Sequence, residues 1–383
     1  MKIGIDISQL AFPGTGVASY TENLVRELLK NDQDNRYVLF GSSLRRKKVL
    51  ENFTRSLSGG NCSEKLFGFP PSFLETLWNR LHVLPLERLI GGVDVFHSSD
   101  WIQPPTGARK VTTVHDLVVY KYPQSSHAKT QFRTDVFAPS ANIVAVQKRR
   151  LRWVKNECDL IIADSLATKK DLREILNIPE EKVRVIYLAA GREFTPKPLA
   201  EVEAVRKKYR LENKYFLCIG TREPRKNLDR VGEAFRQLET GGVDLVWGGN
   251  YGWGSVNKVN KNNKTIKMLG FVPQEDLPAL YSGAAAFVYP SLYEGFGVPV
   301  LEAMACGCPV ITSNTGSLPE VGADAAFYVN PEDLGEIAEK MSQILRLGNR
   351  EREDRKTAGL RQAGNFSWAK TARETLKVYE ELV

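Results

Sequence analysis

Two carboxylates, Glu294 and Glu302, stand on either side of a glycine-containing loop in the second half of the chain. The apolar run at 284–289 predicts a buried strand before this loop. We expect Pro299 to be the first residue of a helix after the loop, because its missing N–H costs nothing there. The start of a helix attracts an anion, and carboxylates accept hydrogen bonds from hydroxyls. The stretch therefore indicates a site for a ligand such as a sugar nucleotide, which carries hydroxyls on both sides of a diphosphate.

Each glutamate alone has an ordinary interpretation, Glu302 as an acidic residue near a helix start and Glu294 as a solvated loop residue. The pair, with seven residues between them around Gly-Phe-Gly-Val-Pro, resembles the E-x7-E signature of glycosyltransferase family 4, a family of retaining enzymes with the GT-B fold. Further stretches resemble the mannosyltransferase B-like branch of that family: Gly270-Phe271-Val272-Pro273, Asp276-Leu277-Pro278, Pro290-Ser291 and Ser317-Leu318-Pro319-Glu320.

Two cations, Arg225 and Lys226, directly precede a predicted helix at 228–238, where the helix dipole disfavours positive charge. Such local conflicts tend to fall at functional sites. A bound diphosphate would remove this one, because Arg binds phosphate bidentately and Lys binds it as a point charge. A solvated pair is the alternative. Asn227 is the predicted N-cap. The stretch resembles the family's E-P-R-K-N motif, whose basic residues hold the donor phosphates and the leaving group.

A histidine, His115, follows the predicted strand at 110–114, and ligands of open α/β sheets collect at the carboxyl ends of strands. A lone histidine can equally be a structural hydrogen-bonding group. In family 4 a histidine after this strand faces the transferred sugar, so the resemblance assigns His115 to the catalytic site. We expect the neighbouring Asp116 to orient the imidazole ring.

The first glycine loop, with Gly14 and Gly16, lies between a predicted strand at 2–8 and a predicted helix at 17–30. Such a loop can bring backbone N–H groups to a phosphate. The loop does not complete a dinucleotide fingerprint, since Ser19 stands where that motif has glycine, and a plain tight turn is the alternative. The resemblance implies that Gly14 and Gly16 contact the donor diphosphate.

The resemblance assigns the remaining donor contacts to the second half of the chain. It implies that Glu294 accepts from the transferred sugar and Glu302 from the ribose. The developing diphosphate charge is expected to be stabilised by Arg225, Lys226 and the N–H groups of Phe296, Gly297 and Val298. We expect Asn250 to lie in a loop beside the nucleotide and Phe271 to form a wall of the base pocket.

The composition fits a soluble globular protein, and 383 residues are long for one hydrophobic core. The net charge of +8 indicates acidic partners, namely nucleotide phosphates or a membrane surface. Nucleic acid is not expected, since no nucleic-acid-binding module is recognisable. The five cysteines form no C-x-x-C pair, and this indicates a reducing compartment without a zinc site. We therefore expect a cytoplasmic protein.

A basic segment at 148–155 contains Lys148, Arg149, Arg150, Arg152 and Lys155. An amphipathic basic helix can lie on anionic lipid, which would place the protein at the inner face of the cell membrane. A solvated helix face is the alternative interpretation.

Strands and helices alternate along both halves, and this predicts an α/β protein with two doubly wound, mostly parallel sheets. The glycine and prolines of Gly191–Pro198 indicate an interdomain linker. We expect an acceptor-side Rossmann-like domain at 1–192 and a nucleotide-sugar-binding one at 193–365. The resemblance implies the GT-B fold, with the domains facing a cleft and a terminal helix at 366–383 crossing back to the first domain.

The resulting hypothesis is a retaining glycosyltransferase, and the resemblance implies that it needs neither a metal ion nor another cofactor. The expected donor is GDP-mannose, with UDP-glucose or another hexose donor as the rival. The expected acceptor is a polysaccharide or a lipid-linked glycan. The same fold could instead serve a sugar-nucleotide epimerase or a non-catalytic glycan-binding subunit. A phosphorylase would need a pyridoxal-binding lysine region, which we do not find.

Overall fold

The computed structural model describes residues 1–57, 60–123, 143–238, 242–249 and 266–383. The chain forms two compact units. The first unit comprises Met1–Leu188 with Trp368–Val383, and the second comprises Ala189–Ser367.

The first unit is built on a parallel sheet. Its described strands are β1 (Lys2–Asp6), β2 (Arg36–Ser42), β3 (Cys62–Phe67), β4 (Val95–Ser98), β5 (Arg109–Val114), β6 (Leu160–Ala163) and β7 (Val183–Val185), in the spatial order β3-β2-β1-β4-β5-β6-β7. Neighbouring strands pair in parallel. The order reverses between β1 and β4. Such a switch point is where open α/β sheets bind ligands.

Helices connect these strands along the chain. They are α1 (Gly16–Asn31), α2 (Lys47–Arg55), α3 (Pro71–Leu74), α4 (Glu87–Ile90), α5 (Val118–Lys121), α6 (Ile143–Glu157) and α7 (Leu166–Leu176), with a π-helical turn at Glu75–Arg80. Thr15 caps α1 by accepting from the Ala18 N–H, and Ser165 caps α7 by accepting from the Thr168 N–H. These caps fix where the chain turns into a helix at the carboxyl ends of the strands.

The second unit repeats this architecture. Its described strands are β8 (Lys214–Ile219), β9 (Val243–Gly248), β10 (Ile266–Gly270), β11 (Ala286–Tyr289), β12 (Val310–Ser313) and β13 (Phe327–Val329), in the order β10-β9-β8-β11-β12-β13. All pairs are parallel. The helices are α8 (Leu199–Lys208), α9 (Leu228–Arg236), α10 (Leu277–Gly283), α11 (Val298–Ala305), α12 (Leu318–Gly322), α13 (Leu334–Arg346) and α14 (Asn349–Ala363).

The last helix, α15 (Trp368–Glu380), belongs to the first unit although it follows the second unit in sequence. It packs along α1 and buries Trp368, Ala372 and Tyr379. Two doubly wound parallel sheets and a returning terminal helix confirm the predicted α/β fold class. Among the described helices, none is both long and apolar enough to span a bilayer.

Candidate active site

A loop between β11 and α11 carries Glu294 and is held in one conformation by its neighbours. Ser317 Oγ donates to the carbonyl oxygens of Glu294 and Phe296 at 2.9 and 2.8 Å. Gly297 has φ +107°, and a Cβ at this position would lie 2.6 Å from Cδ2 of Leu318. A larger residue would therefore be strained as well as crowded. Because α11 begins at Val298, Pro299 is its second residue and not its first.

The Glu294 carboxylate lies in a buried cluster of donors. Its Oε1 accepts from Ser291 Oγ at 2.6 Å, and from Tyr289 and Lys226 at 2.8 Å each. Its Oε2 lies 2.8 Å from Nη1 of Arg225. Burial favours the neutral acid, but the two cations outweigh burial and hold the pKa of Glu294 at about 2. The predicted residues Arg225, Lys226 and Glu294 therefore meet in one site, and the carboxylate stays ionised.

Neighbouring carboxylates and one hydroxyl hold the side chains of Arg225 and Lys226 in place. Arg225 also donates through Nε to Glu223 at 2.9 Å. Lys226 is bonded to the Tyr289 hydroxyl as well as to Glu294. Burial lowers the pKa of Lys226, against the opposing effect of Glu294. Oxygens of a diphosphate would offer both cations charge-assisted hydrogen bonds of the same kind.

Asn227 does not cap α9 as predicted. It lies in the left-handed region, with φ +59°, and its side chain makes no capping bond. Its amide instead donates to the carbonyl oxygens of Pro290 and Pro331, at 3.0 and 2.6 Å. The backbone N–H of Leu292 returns a bond to the Arg225 carbonyl at 2.8 Å. Asn227 therefore ties the cationic turn to the Glu294 loop, a role that the capping interpretation missed.

Glu302 lies on α11 in a different environment. Its Oε2 accepts from the Tyr281 hydroxyl at 3.2 Å. Burial raises its pKa to about 7, opposed by the Tyr281 bond and reinforced by the charge of Glu193. Glu302 thus shares no described side-chain contact with the Glu294 cluster and changes its protonation near neutral pH.

The other predicted donor residues occupy loop and helix-start positions. Gly14 has φ +82° with open space around it, and Gly16 is the first residue of α1. Phe271 follows β10 and is 67% exposed, so its ring is available to a planar ligand. The Phe296 ring is buried against Phe366. Gly297 precedes α11 and Val298 is its first residue, at the end of the helix where N–H groups lack intrahelical partners. Asn250 lies outside the described residues.

His115 lies in the first unit, where β5 ends. Its Nδ1 is 2.6 Å from Oδ2 of Asp164, the residue that follows the neighbouring strand β6. Burial lowers the His115 pKa, but the Asp164 charge and hydrogen bond outweigh it and raise the pKa to about 9. The Tyr20 ring packs edge-on against the imidazole at 4.7 Å. The histidine is therefore held as a cation.

Asp164, not Asp116, orients this ring. Asp116 accepts from the Val118 N–H at 2.9 Å, a bond at the start of α5. The sequence contained a signal for Asp164, because this acid follows the apolar run at 160–163 just as His115 follows the predicted strand at 110–114. The missing information was the order of the strands in the sheet.

The basic segment at 148–155 divides into buried and exposed residues. Arg150 is fully buried and bonds to the Ser99 carbonyl, Asp100 and Thr112. Arg149 forms an ion pair with Glu75. The interpretation of the whole segment as one solvated or lipid-facing surface was therefore wrong for Arg150, because this side chain bridges the ends of β4 and β5. The exposed cations of the segment are Lys148, Arg152 and Lys155.

Comparisons with known proteins place both units in glycosyltransferase families. Residues 14–190 match the model described as Glycosyltransferase Family 4, and residues 201–361 match the model described as Glycosyl transferases group 1. The chain is 31% identical to O-antigen chain mannosyltransferase B of Escherichia coli, with 100% of each chain covered.

Solved structures show the same fold at low identity. A glycosyltransferase from Rickettsia africae superposes with a TM-score of 0.70 at 18% identity, covering 100% of this chain and 98% of that chain. Anabaena Alr3699/HepE, solved in complex with UDP and glucose, gives a TM-score of 0.69 at 15% identity, covering 99% of each chain.

Proposed function

Because the chain belongs to glycosyltransferase family 4, we propose that it transfers mannose from GDP-mannose to a polysaccharide or lipid-linked glycan, with retention of the anomeric configuration. The observation that carries the proposal is the buried cluster in which Glu294 stays ionised between Arg225 and Lys226. Such a cluster offers cations for a diphosphate and a carboxylate for sugar hydroxyls in one place. The relationship to the E. coli mannosyltransferase supports mannose as the transferred sugar.

The second unit supplies the groups for donor binding in this proposal. Arg225, Lys226 and the N–H groups at the start of α11 bind the diphosphate and stabilise the charge that develops as it leaves. Donors that are already aimed at a developing charge are usually the largest electrostatic contribution to catalysis. Glu302 accepts from the ribose hydroxyls, and Phe271 stacks on the base. Glu294 accepts from the hydroxyls of the transferred sugar.

Retention of the anomeric configuration has two known mechanisms, and the contacts of Glu294 favour one of them. A double displacement would need a carboxylate nucleophile. Glu294 is already bonded to four described side chains, Arg225, Lys226, Tyr289 and Ser291, and this makes it a weak nucleophile. We propose same-face departure and attack, in which the leaving phosphate takes the acceptor proton.

The first unit contributes His115 in this proposal, as a cation that faces the transferred sugar. Its pair with Asp164 fixes the ring so that Nε2–H points away from the carboxylate and is available to a substrate oxygen. Gly14 and Gly16 allow the backbone at the start of α1 to approach the diphosphate.

The transfer reaction can be tested without any metal ion. With GDP-mannose, an acceptor glycan and excess EDTA, we expect mass spectrometry to show one added hexose and NMR to show the α-anomer. The reason is that Arg225 and Lys226 supply the positive charge that a metal would otherwise bring to the diphosphate. Loss of activity on chelation, restored by a divalent ion, would contradict the metal-independent mechanism.

The same assay separates the alternative functions. An isomerised sugar nucleotide formed without acceptor would indicate an epimerase. Glycan binding without turnover of any nucleotide sugar would indicate a non-catalytic subunit. Transfer of glucose from UDP-glucose in place of mannose would keep the reaction class and change the donor.

We also propose that the enzyme works in the cytoplasm and contacts the inner face of the membrane through α6. Free thiols at all five cysteines, which lie in described ranges, fit a reducing compartment. His82 stacks on Trp153 of α6 at 3.7 Å between ring centres. The adjacent Leu81 and Val83 are 63% and 48% exposed, so apolar side chains accompany the cations of α6.

Neutralising the exposed cations Lys148, Arg152 and Lys155 together by glutamine is expected to reduce sedimentation with phosphatidylserine-containing vesicles. Each cation near an anionic surface contributes about 1 kcal/mol of binding. Arg150 is left intact because its removal would leave buried partners unpaired.

The matched control replaces Lys207, Lys214 and Lys377, which are also exposed, so that the net charge changes equally. Equal sedimentation of the two triple variants would support a merely solvated helix face.

A further inference from the structure

A buried chain of hydrogen bonds connects the C-terminal helix to the His115 pocket. The Tyr379 hydroxyl on α15 lies 2.6 Å from His97 Nδ1. His97 Nε2 lies 3.0 Å from Thr113 Oγ1, which in turn lies 2.7 Å from the Tyr20 hydroxyl. Tyr379 is 0% exposed and Tyr20 is 6% exposed. Within the described part of the chain, these bonds are the only hydrogen bonds of the two tyrosine hydroxyls.

The tautomer of His97 sets the direction of its two hydrogen bonds. Burial, reinforced by the charges of His115 and Arg150, lowers the pKa of His97 to about 3. The ring is therefore neutral at working pH, and it donates from one nitrogen while it accepts at the other. Either Tyr379 donates to Nδ1 and Nε2–H donates to Thr113, or these two bonds are both reversed.

Burial selects the first direction. In the reversed chain, the proton of Tyr379 would have no acceptor at a fully buried position, and an unmade buried hydrogen bond is costly. In the first direction Thr113 keeps its own proton, whose described partner is the Tyr20 oxygen, and when Thr113 donates there the unused proton belongs to Tyr20. Tyr20 lines a small pocket together with Asp6, Ser99 and His115, and a ligand bound there would be the acceptor for the unused proton.

The same pocket holds an unused acceptor. Asp6 ends β1 at the switch point of the sheet and is 3% exposed. Its Oδ1 accepts from the Ser8 N–H at 2.9 Å, while Oδ2 is buried without a hydrogen-bond partner among the described residues. Donors of Ser99 lie near the carboxylate without completing a bond to Oδ2. A hydroxyl group is the ligand that both accepts one hydrogen bond and donates another.

We propose that Tyr20 and Asp6 form a subsite for one sugar hydroxyl beside His115, and that Tyr379 positions the Tyr20 proton through His97 and Thr113. The inference rests on the proposed function, because it deepens the account of how the first unit binds a sugar. The hydroxyl belongs either to the acceptor glycan or to the transferred sugar, and the experiment distinguishes these sources.

The tautomer of His97 tests the direction of the chain without any activity. Long-range 1H–15N NMR of the histidines, with the His97 signals assigned from a His97→Gln variant, should show the proton of His97 on Nε2. A proton on Nδ1 would overturn the proposal, whether or not the protein transfers mannose.

Kinetics test the subsite. Tyr20→Phe should raise the KM of one sugar substrate roughly tenfold, the scale of one lost hydrogen bond, and Tyr379→Phe should raise the same KM by less. A raised acceptor KM assigns the hydroxyl to the acceptor, and a raised donor KM assigns it to the transferred sugar.

The control is Thr371→Val, which removes another buried hydroxyl of α15, one that donates to the Tyr187 carbonyl at 2.7 Å. Equal KM values in Tyr20→Phe, Thr371→Val and the wild-type enzyme would overturn the subsite.

Discussion

Replacing Glu294 with glutamine is expected to lower kcat at least about a hundredfold, the loss that follows removal of one preorganised electrostatic interaction. The glutamine amide keeps the shape of the side chain but loses the charge that pairs with Arg225 and Lys226. It also exchanges one acceptor oxygen for a donor, so it cannot bind the sugar hydroxyls as the carboxylate does. Single-turnover kinetics with saturating donor would measure the effect on chemistry.

Stability must be followed in the same experiment. Breaking a buried ion pair by removing one partner can cost about 3–5 kcal/mol, so thermal melting of each variant separates misfolding from lost catalysis. Glu223→Gln is the matched control, because Glu223 also pairs with Arg225 at 2.9 Å but has no assigned contact with the sugar. If Glu294→Gln turns over at the wild-type rate, or if both variants lose activity equally, Glu294 has no special role.

Replacing Lys226 with alanine is expected to weaken the binding of GDP by roughly tenfold to a hundredfold in Kd. A hydrogen bond to a charged group contributes about 1.5–3 kcal/mol, and each 1.4 kcal/mol corresponds to a tenfold change. Lys226 contacts Tyr289 and Glu294 and lies near Arg225. A diphosphate bound at this site would accept a hydrogen bond from its ammonium group. Isothermal titration calorimetry with GDP and with GMP would measure the loss.

Lys267→Ala provides the comparison for this variant. Lys267 also pairs with a buried acid of the second unit, Asp244, at 2.9 Å, but it lies on β10 and has no assigned contact with the donor. We expect its Kd for GDP to equal that of the wild-type protein. An unchanged affinity in Lys226→Ala would remove Lys226 from the phosphate site.

The sequence was sufficient for the parts of the site that depend on local spacing. Glu294 was predicted from its spacing to Glu302, and Arg225 and Lys226 from their position before a helix and from the motif they resemble; the structure brings the three side chains together. The alternation of strands and helices along the chain likewise predicted the two parallel sheets. Patterns of this kind depend on residues that lie close together in the sequence.

The parts that depend on the order of strands were not predictable in this way. Asp164 meets His115 because β5 and β6 are neighbours. Arg150 looked like one charge in a basic segment, yet it bridges the ends of two strands. Asn227 looked like a helix cap, but its amide finds two carbonyl oxygens from distant loops. In each case a contact with a residue distant in sequence determines what the side chain does, and the local sequence does not identify that residue.

Thermal melting with a panel of nucleotide sugars tests the central claim most directly, because a ligand that binds the folded state raises the melting temperature. We predict that GDP-mannose at a hundred times its Kd stabilises the wild-type protein by about 2.7 kcal/mol and that UDP-glucose at the same concentration stabilises it less. Lys226→Ala is expected to lose about half of this gain or more. A panel in which no nucleotide sugar raises the melting temperature of the wild-type protein would contradict the account.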